Sequence, residues 1–94
     1  MPPVPVTIQL SPLLCDYSGG TAQISLLATD VRAMLEELER RHPSVYRGVC
    51  NETGAVRPHV NMFVNTNNVR DLQGLDTSLE SGDIVTILQA VSGG

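Results

Sequence analysis

The residues best suited to chemistry in this 94-residue chain are its last four, Val91-Ser92-Gly93-Gly94. Gly93 and Gly94 have no Cβ, so they form a thin end that can enter a channel too narrow for side chains. Fully extended, Val91 to Gly94 reaches roughly 13 Å, enough to place a carboxylate in a partner's nucleotide site. A frayed end or a remnant of cloning would also contain such glycines. The doublet alone leaves both interpretations open.

No catalytic group stands out inside the chain. Gly19-Gly20 precedes a predicted strand rather than a helix, so it does not resemble a phosphate-binding loop. His42 and His59 are isolated, and together with Cys15 and Cys50 they do not form the four clustered ligands of a structural zinc site. We therefore predict no catalytic residue and no metal site in this chain. We expect both cysteines to be buried or half-buried thiols rather than partners in a disulfide.

The composition indicates one soluble domain. Apolar residues make up 41% and charged residues 17% of the chain, which suits a globular protein. No apolar run approaches the roughly 20 residues that span a bilayer, and the start lacks the features of a secretory signal. We expect a cytoplasmic protein with no membrane partner. The net charge of −4, with arginines scattered along the sequence, argues against a nucleic-acid partner.

Lysine is absent, because all six cations are arginines. Skewed codon usage is the simple explanation. A second consequence is chemical, since no side-chain amine can then attack an activated acyl group on the same molecule.

The first half of the chain predicts a hairpin followed by a helix. Apolar and polar residues alternate over Val4–Leu10, and a second strand is expected over Ala22–Leu27, with an unpredictable loop from Ser11 to Tyr17. Asp30 is the expected N-cap of a helix that ends at Pro43. Four apolar side chains at helical spacing form one stripe, namely Val31, Met34, Leu35 and Leu38. On the opposite face, Glu36 can pair with Arg40 and Glu39 can pair with Arg32.

The second half predicts further strands with a long connection. A short helical turn is expected over residues 44–50, and a third strand over His59–Asn65. Asparagines mark a reversal at residues 65–68, with a short strand near Val69 and a last strand over Ile84–Ala90. On the last strand Val85 and Ile87 are expected to face the helix, by alternation. The class is α+β, with one main helix packed on one face of a mixed sheet.

Several segments together resemble the ThiS/MoaD family of sulfur carriers. They are Val60-Asn-Met-Phe-Val-Asn65, Val69-Arg-Asp71, Gly74-Leu-Asp-Thr77, Leu79, Ser81-Gly-Asp83, Val85-Thr-Ile-Leu88 and Ala90-Val-Ser-Gly-Gly94. The resemblance covers nearly the whole chain and is nearest to the carrier for cysteine biosynthesis, then to the small subunit of molybdopterin synthase. Gln89 stands where these relatives commonly have proline. The resemblance implies a ubiquitin-like β-grasp domain over residues 1–90 and a flexible tail over 91–94.

The resemblance also implies a function for the tail. A ubiquitin-activating-type adenylyltransferase would use ATP to adenylate Gly94, and sulfur would then convert Gly94 to a thiocarboxylate. Gly93, Ser92 and Val91 would thread the tail into the partner, and the carrier itself would bind no cofactor. The sulfur would pass to a cysteine synthase-like enzyme or to the large subunit of molybdopterin synthase. Leu88 and Phe63 are candidates for an apolar docking patch, although Phe63 also suits the core.

Other functions remain open from the sequence. The sulfur could go to a thiolated tRNA base or to thiamine. The same activated glycine also suits a protein modifier that is joined to lysines on its targets. A third class is a ubiquitin-like interaction module in which the glycines are incidental.

Overall fold

The computed structural model describes residues 2–15 and 22–89, with the side chains of Leu13 and Cys15 left out. Five strands form one mixed sheet in the order β2-β1-β5-β3-β4. β1 pairs with β5 in parallel, and the other neighbouring strands are antiparallel. The strands are β1 (Val4–Leu10), β2 (Gln23–Ala28), β3 (Val60–Val64), β4 (Asn67–Asn68) and β5 (Ile84–Gln89). The helices are α1 (Pro12–Cys15), α2 (Val31–Arg41) and α3 (Pro43–Val49).

The predicted hairpin is confirmed, with β1 and β2 in register from Val4 opposite Ala28 to Gln9 opposite Gln23. The N–H groups of Thr7 and Ser11 donate toward the β5 side of β1. The backbone nitrogen of Pro5, which carries no hydrogen, faces that same side. The pairing of β1 with β5 begins only at Thr7, so no β5 carbonyl lies opposite this nitrogen. The proline therefore removes no bond from the sheet, as its position near the strand start predicts.

The main helix forms where the sequence predicts it. Asp30 accepts a hydrogen bond from the N–H of Ala33 through Oδ1 at 2.7 Å, which caps the first turn. The predicted apolar stripe is buried against the sheet. α2 ends at Arg41, and Pro43 then occupies the first turn of α3, where its missing N–H costs nothing. The short helical turn expected over residues 44–50 is confirmed as α3, which begins one residue earlier and follows α2 directly.

The ion pairs predicted on α2 are wrong. Glu37 pairs with both Arg40 at 2.6 Å and Arg41 at 3.0 Å, through spacings of three and four residues. Arg32 instead pairs at 3.0 Å with Asp76, which lies in a 3₁₀ turn beside α2. The sequence pattern missed the tertiary partner of Arg32.

Two connections differ from the predicted loops and strands. Within the segment expected to be an irregular loop, Pro12–Cys15 forms a short helix that contacts α3 and β5. The chain reverses at Asn65, which adopts a left-handed φ of 57°. The short strand expected near Val69 lies just before it, at Asn67–Asn68, and Val69–Asp71 forms a 3₁₀ turn.

The core lies between the sheet and the helices. Val85 and Ile87 of β5 are fully buried there, as their alternation predicts. β3 contributes Val60, Met62 and Val64 to the same face. In the described part of the chain, no helix is long and apolar enough to cross a membrane.

Candidate functional site

The predicted site residues Val91, Ser92, Gly93 and Gly94 lie outside the described residues, and so does Ala90. The predicted domain boundary at residue 90 therefore lies there too. What the structure does define is the last described position before them. Gln89 is the last residue of β5, and every position after it is reached from that point.

β5 is held on both sides up to its end. It lies between β1 and β3, and Gln89 is opposite Val60. Beyond the end of β1, Ser11 donates its N–H to the carbonyl of Ile87 at 3.1 Å, and its Oγ accepts from the N–H of Gln89 at 3.4 Å. The tail therefore starts from a strand anchored in the middle of the sheet rather than from a free edge.

The two predicted docking residues lie on the outer face of the sheet, away from α2. Leu88 is 42% exposed and is opposite Asn61, while Phe63 is half-buried and is opposite Thr86. Phe63 and Leu88 are thus diagonal neighbours across β3 and β5, a spacing at which large side chains reach each other. Phe63 is not one of the buried core residues. We call Phe63 and Leu88 the outer-face patch.

Sequence reasoning missed a basic cleft beside the start of the tail. Its cavity of about 240 Å³ is lined by Arg47, Gly48, Arg57, His59 and Gln89, and we call it the tail-root cleft. Arg47 and Arg57 meet here because α3 and the segment leading into β3 both end near Gln89. No local sequence signal reports this, since the residues come from three elements.

Cys50 is buried, as predicted, and is 1% exposed. Burial raises the pKa of its thiol, and the Glu39 carboxylate raises it further, while the Tyr46 hydrogen bond and Arg57 act in the opposite direction. The thiol therefore stays protonated at neutral pH, and thiolates are the reactive form of cysteine. Cys50 is unsuited to act as a sulfur nucleophile. The side chain of Cys15 lies outside the described residues.

The described residues also contain no group of three His, Cys, Asp or Glu side chains arranged to hold a metal ion. The arrangement offers an anchored strand that leads into a glycine-terminated tail, with an apolar patch and a basic cleft at its start.

Comparison with known proteins identifies this arrangement. Residues 16–94 match the ThiS family, including the tail. The chain belongs to the ThiS family. It is 32% identical to the sulfur carrier protein CysO of Mycobacterium tuberculosis over 91 residues, which cover 95% of this chain and 98% of that one.

Solved structures of such proteins share the fold. Small archaeal modifier protein 1 from Methanosarcina acetivorans superposes with a TM-score of 0.87 at 28% identity, over 98% of both chains. A chain of the Amycolatopsis orientalis BexX/CysO complex superposes with a TM-score of 0.84 at 29% identity, over 95% of this chain and 99% of that one. The fold is therefore the ubiquitin-like β-grasp, and the family is one of sulfur carrier proteins. Both the family resemblance and the fold class expected from the sequence are confirmed.

Proposed function

We propose that this ThiS-family protein carries sulfur as a thiocarboxylate on Gly94. The observation that carries the proposal is that the family match extends beyond the last residue of β5. The family match continues to residue 94, whereas the anchored strand ends at Gln89. The five residues in between span at most about 17 Å, so a terminal carboxylate can enter a partner while the domain stays outside.

Activation must come first, because a carboxylate is a poor electrophile. The α-carboxyl group has an ordinary pKa near 3.5 and is ionised at neutral pH. In the proposed step a carboxylate oxygen attacks the α-phosphorus of ATP, and pyrophosphate leaves. The product is an acyl-adenylate, in which AMP is a good leaving group.

Sulfur then replaces the adenylate. Hydrosulfide attacks the acyl carbon and AMP departs, which leaves a thiocarboxylate on Gly94. If the donor is a partner's persulfide, the first product is an acyl disulfide, and a second thiol must reduce its S–S bond to release the thiocarboxylate. In both routes the nucleophilic sulfur comes from outside this chain, in keeping with the buried, protonated Cys50.

The chain acts in this scheme as a co-substrate rather than an enzyme. It binds no cofactor, and the ATP belongs to the activating partner. The absence of lysine supports the scheme, because no side-chain amine of the carrier can consume the activated acyl group. Since ATP and the activating enzyme are cytoplasmic components, the proposed place of action is the cytoplasm.

Two partners follow from the chemistry. A ubiquitin-activating-type adenylyltransferase would activate Gly94, and a sulfur-accepting synthase would take the sulfur. We propose cysteine biosynthesis as the destination, supported by the similarity to CysO over nearly the whole chain, with molybdopterin as the second candidate. The Amycolatopsis orientalis BexX/CysO complex supports a stable contact with a partner protein.

The outer-face patch would provide part of that contact. Leu88 lies one residue before the end of β5, so a protein that receives the tail also meets this side chain. Exposed apolar side chains beside an active segment are typical of interaction sites. Phe63 would extend the patch onto β3.

Conjugation to proteins is the second candidate function. Its specific support is the TM-score of 0.87 to an archaeal modifier protein. A modifier would use the same activated Gly94, but a lysine amine of the target would displace AMP and form an isopeptide bond.

Exchange of labelled pyrophosphate into ATP by the activating enzyme tests the shared first step. The full chain should support exchange, and deletion of Gly94 should reduce it by about a hundredfold or more, because the carboxylate no longer reaches the α-phosphate. Lysine-linked adducts in the presence of ATP would favour the modifier. Absence of exchange with the full, folded chain would favour an interaction module and contradict the proposal.

A further inference from the structure

Five of the six arginines of this chain fall into two groups in the structure. Arg32, Arg40 and Arg41 lie on α2 and each pairs with a carboxylate. Arg47 and Arg57, in the tail-root cleft, form no ion pair with any residue in 2–15 or 22–89. A protein with a net charge of −4 thus has two arginines beside the end of β5 that form no direct ion pair with a described residue.

The cleft is organised by hydrogen bonds as well as by charge. Nε of Arg57 donates to the carbonyl of Arg47 at 2.9 Å, which fixes the guanidinium beside α3. Its two terminal NH₂ groups donate to no residue in 2–15 or 22–89, and such a pair of donors suits a carboxylate. Arg70 lies close by, with Nη2 at 3.5 Å from the carbonyl of Pro58.

Two carboxylates lie near these arginines without pairing with them directly. Glu39 and Glu52 line an adjacent cavity together with Arg47 and Arg57. Neither glutamate forms an ion pair with either arginine in the described part of the chain. The acidic residues nearest to β5 in sequence, Glu80 and Asp83, lie at the opposite end of that strand.

We propose that the tail-root cleft is a docking site for Asp or Glu side chains at the mouth of the channel in the activating enzyme that receives the tail. The proposal rests on the proposed function and adds the chemistry of the partner surface. Because Gly94 is the fifth residue after Gln89, the partner's mouth must lie within about 17 Å of the cleft when the tail is fully inserted. An acidic mouth would repel most of this acidic carrier and attract only the cleft, so the tail would approach end-on.

The charge and size of the cleft favour a protein carboxylate over a nucleic acid. A nucleic-acid site needs a stripe of several cations that neutralise successive phosphates. Here two arginines and His59 surround about 240 Å³, room for one or two carboxylate groups.

Steady-state kinetics of thiocarboxylate formation with the activating enzyme test the proposal. Arg47→Glu is the main variant, because this side chain is exposed and makes no side-chain hydrogen bond to a described residue. Arg40→Glu is the matched control, since it makes the same charge change on an exposed site of α2. Arg47→Lys keeps the charge and tests whether charge alone suffices.

The expected result separates binding from chemistry. At low salt Arg47→Glu should raise the KM for the carrier about tenfold with little change in kcat, while Arg40→Glu changes KM less than about twofold. At high salt the difference should shrink, because exposed charges are screened. Arg47→Lys should recover most of the wild-type KM.

Three outcomes would overturn the inference. They are an unchanged KM for Arg47→Glu at low salt, an equal rise for Arg40→Glu, and a rise that does not depend on salt. Circular dichroism of each variant excludes misfolding as the cause, and Arg57→Gln provides a second test if Arg47→Glu is unfolded. If the wild-type chain itself forms no thiocarboxylate, the proposed function is contradicted. If the wild-type chain forms it but one of the three outcomes above is found, only the docking inference is contradicted.

Discussion

The backbone N–H of Gln89 donates a hydrogen bond to Oγ of Ser11 at 3.4 Å, although 78 residues separate the two in the chain. Ser11 also donates its own N–H to the carbonyl of Ile87 at 3.1 Å. Ser11, just beyond the end of β1, therefore contacts both Ile87 and Gln89 near the end of β5. The two hydrogen bonds join the last described residues of β5 to the segment that follows β1.

Ser11→Ala should release the end of β5 without unfolding the domain. The lost hydrogen bond is long, so we expect a stability loss of about 0.5 to 1 kcal/mol. Amide hydrogen exchange should become faster at Gln89, while the amide of Met62 on the neighbouring β3 keeps its rate. Ser25→Ala, at an exposed position of β2, is the control. An unchanged rate at Gln89 would show that Ser11 does not anchor the strand.

The outer-face patch predicts a difference between two exposed leucines. Leu88 and Leu27 are 42% and 53% exposed and occupy the same face of the sheet, but Leu27 lies on the edge strand β2, opposite Pro5. Leu88→Ala should raise the KM for the carrier in the adenylation reaction about tenfold, through loss of apolar contact area. Leu27→Ala should leave the KM within about twofold. Equal effects, or none at Leu88, would contradict docking through this patch.

The fold was largely predictable from local pattern. Alternation identified β1, and helical spacing with the Asp30 cap identified α2, because each element buries one regular face. The short elements were harder. The helix at Pro12–Cys15 and the 3₁₀ turn at Val69–Asp71 are too brief to show a period, so tertiary packing decides them.

The candidate site was predictable only in part. The exposure of Leu88 follows from alternation along β5, whereas the sequence left Phe63 open between the outer face and the core. The tail-root cleft does not follow from any pattern, because Arg47 and Arg57 come together only when α3 packs beside the start of β3. The positive charge of the cleft therefore becomes visible only in the folded chain and not in any sequence motif.

Although Asn65 is exposed, we expect its replacement to lower the free energy of unfolding substantially. It has a φ of 57°, and its side chain accepts from the N–H of Ile84 and donates to Asp83, each at 3.1 Å. Asn65→Ala adds backbone strain and removes both bonds, so we expect a loss of about 1 to 2 kcal/mol in urea unfolding. Asn67→Ala, at an exposed neighbouring position, should change stability by less than about 0.5 kcal/mol. Equal losses would show that the turn does not depend on Asn65.

We expect the burial of Cys50 to lower the free energy of unfolding at alkaline pH. Because burial raises the pKa of the folded thiol, the unfolded chain loses this proton at a lower pH than the folded chain. Stability should therefore be constant near neutral pH and decline as pH rises through the unfolded thiol pKa of about 8.5. The raised pKa of Tyr46, caused mainly by its burial, extends the decline to higher pH.

The measurement is denaturant unfolding between neutral and alkaline pH in a Cys15→Ser background, which removes the other thiol. Cys50→Ala should cost on the order of 1 kcal/mol at neutral pH and should flatten the part of the decline that begins near the thiol pKa. A decline of the same steepness in that variant would assign the pH dependence to other groups.

The most direct test of sulfur transport is the intact mass of the carrier after incubation with ATP, a sulfide source and its activating enzyme. The account predicts a gain equal to the exchange of one oxygen for sulfur, located at Gly94 by fragmentation and absent without ATP. No mass change in a folded protein that ends at Gly94, with an enzyme shown to be active, would contradict it.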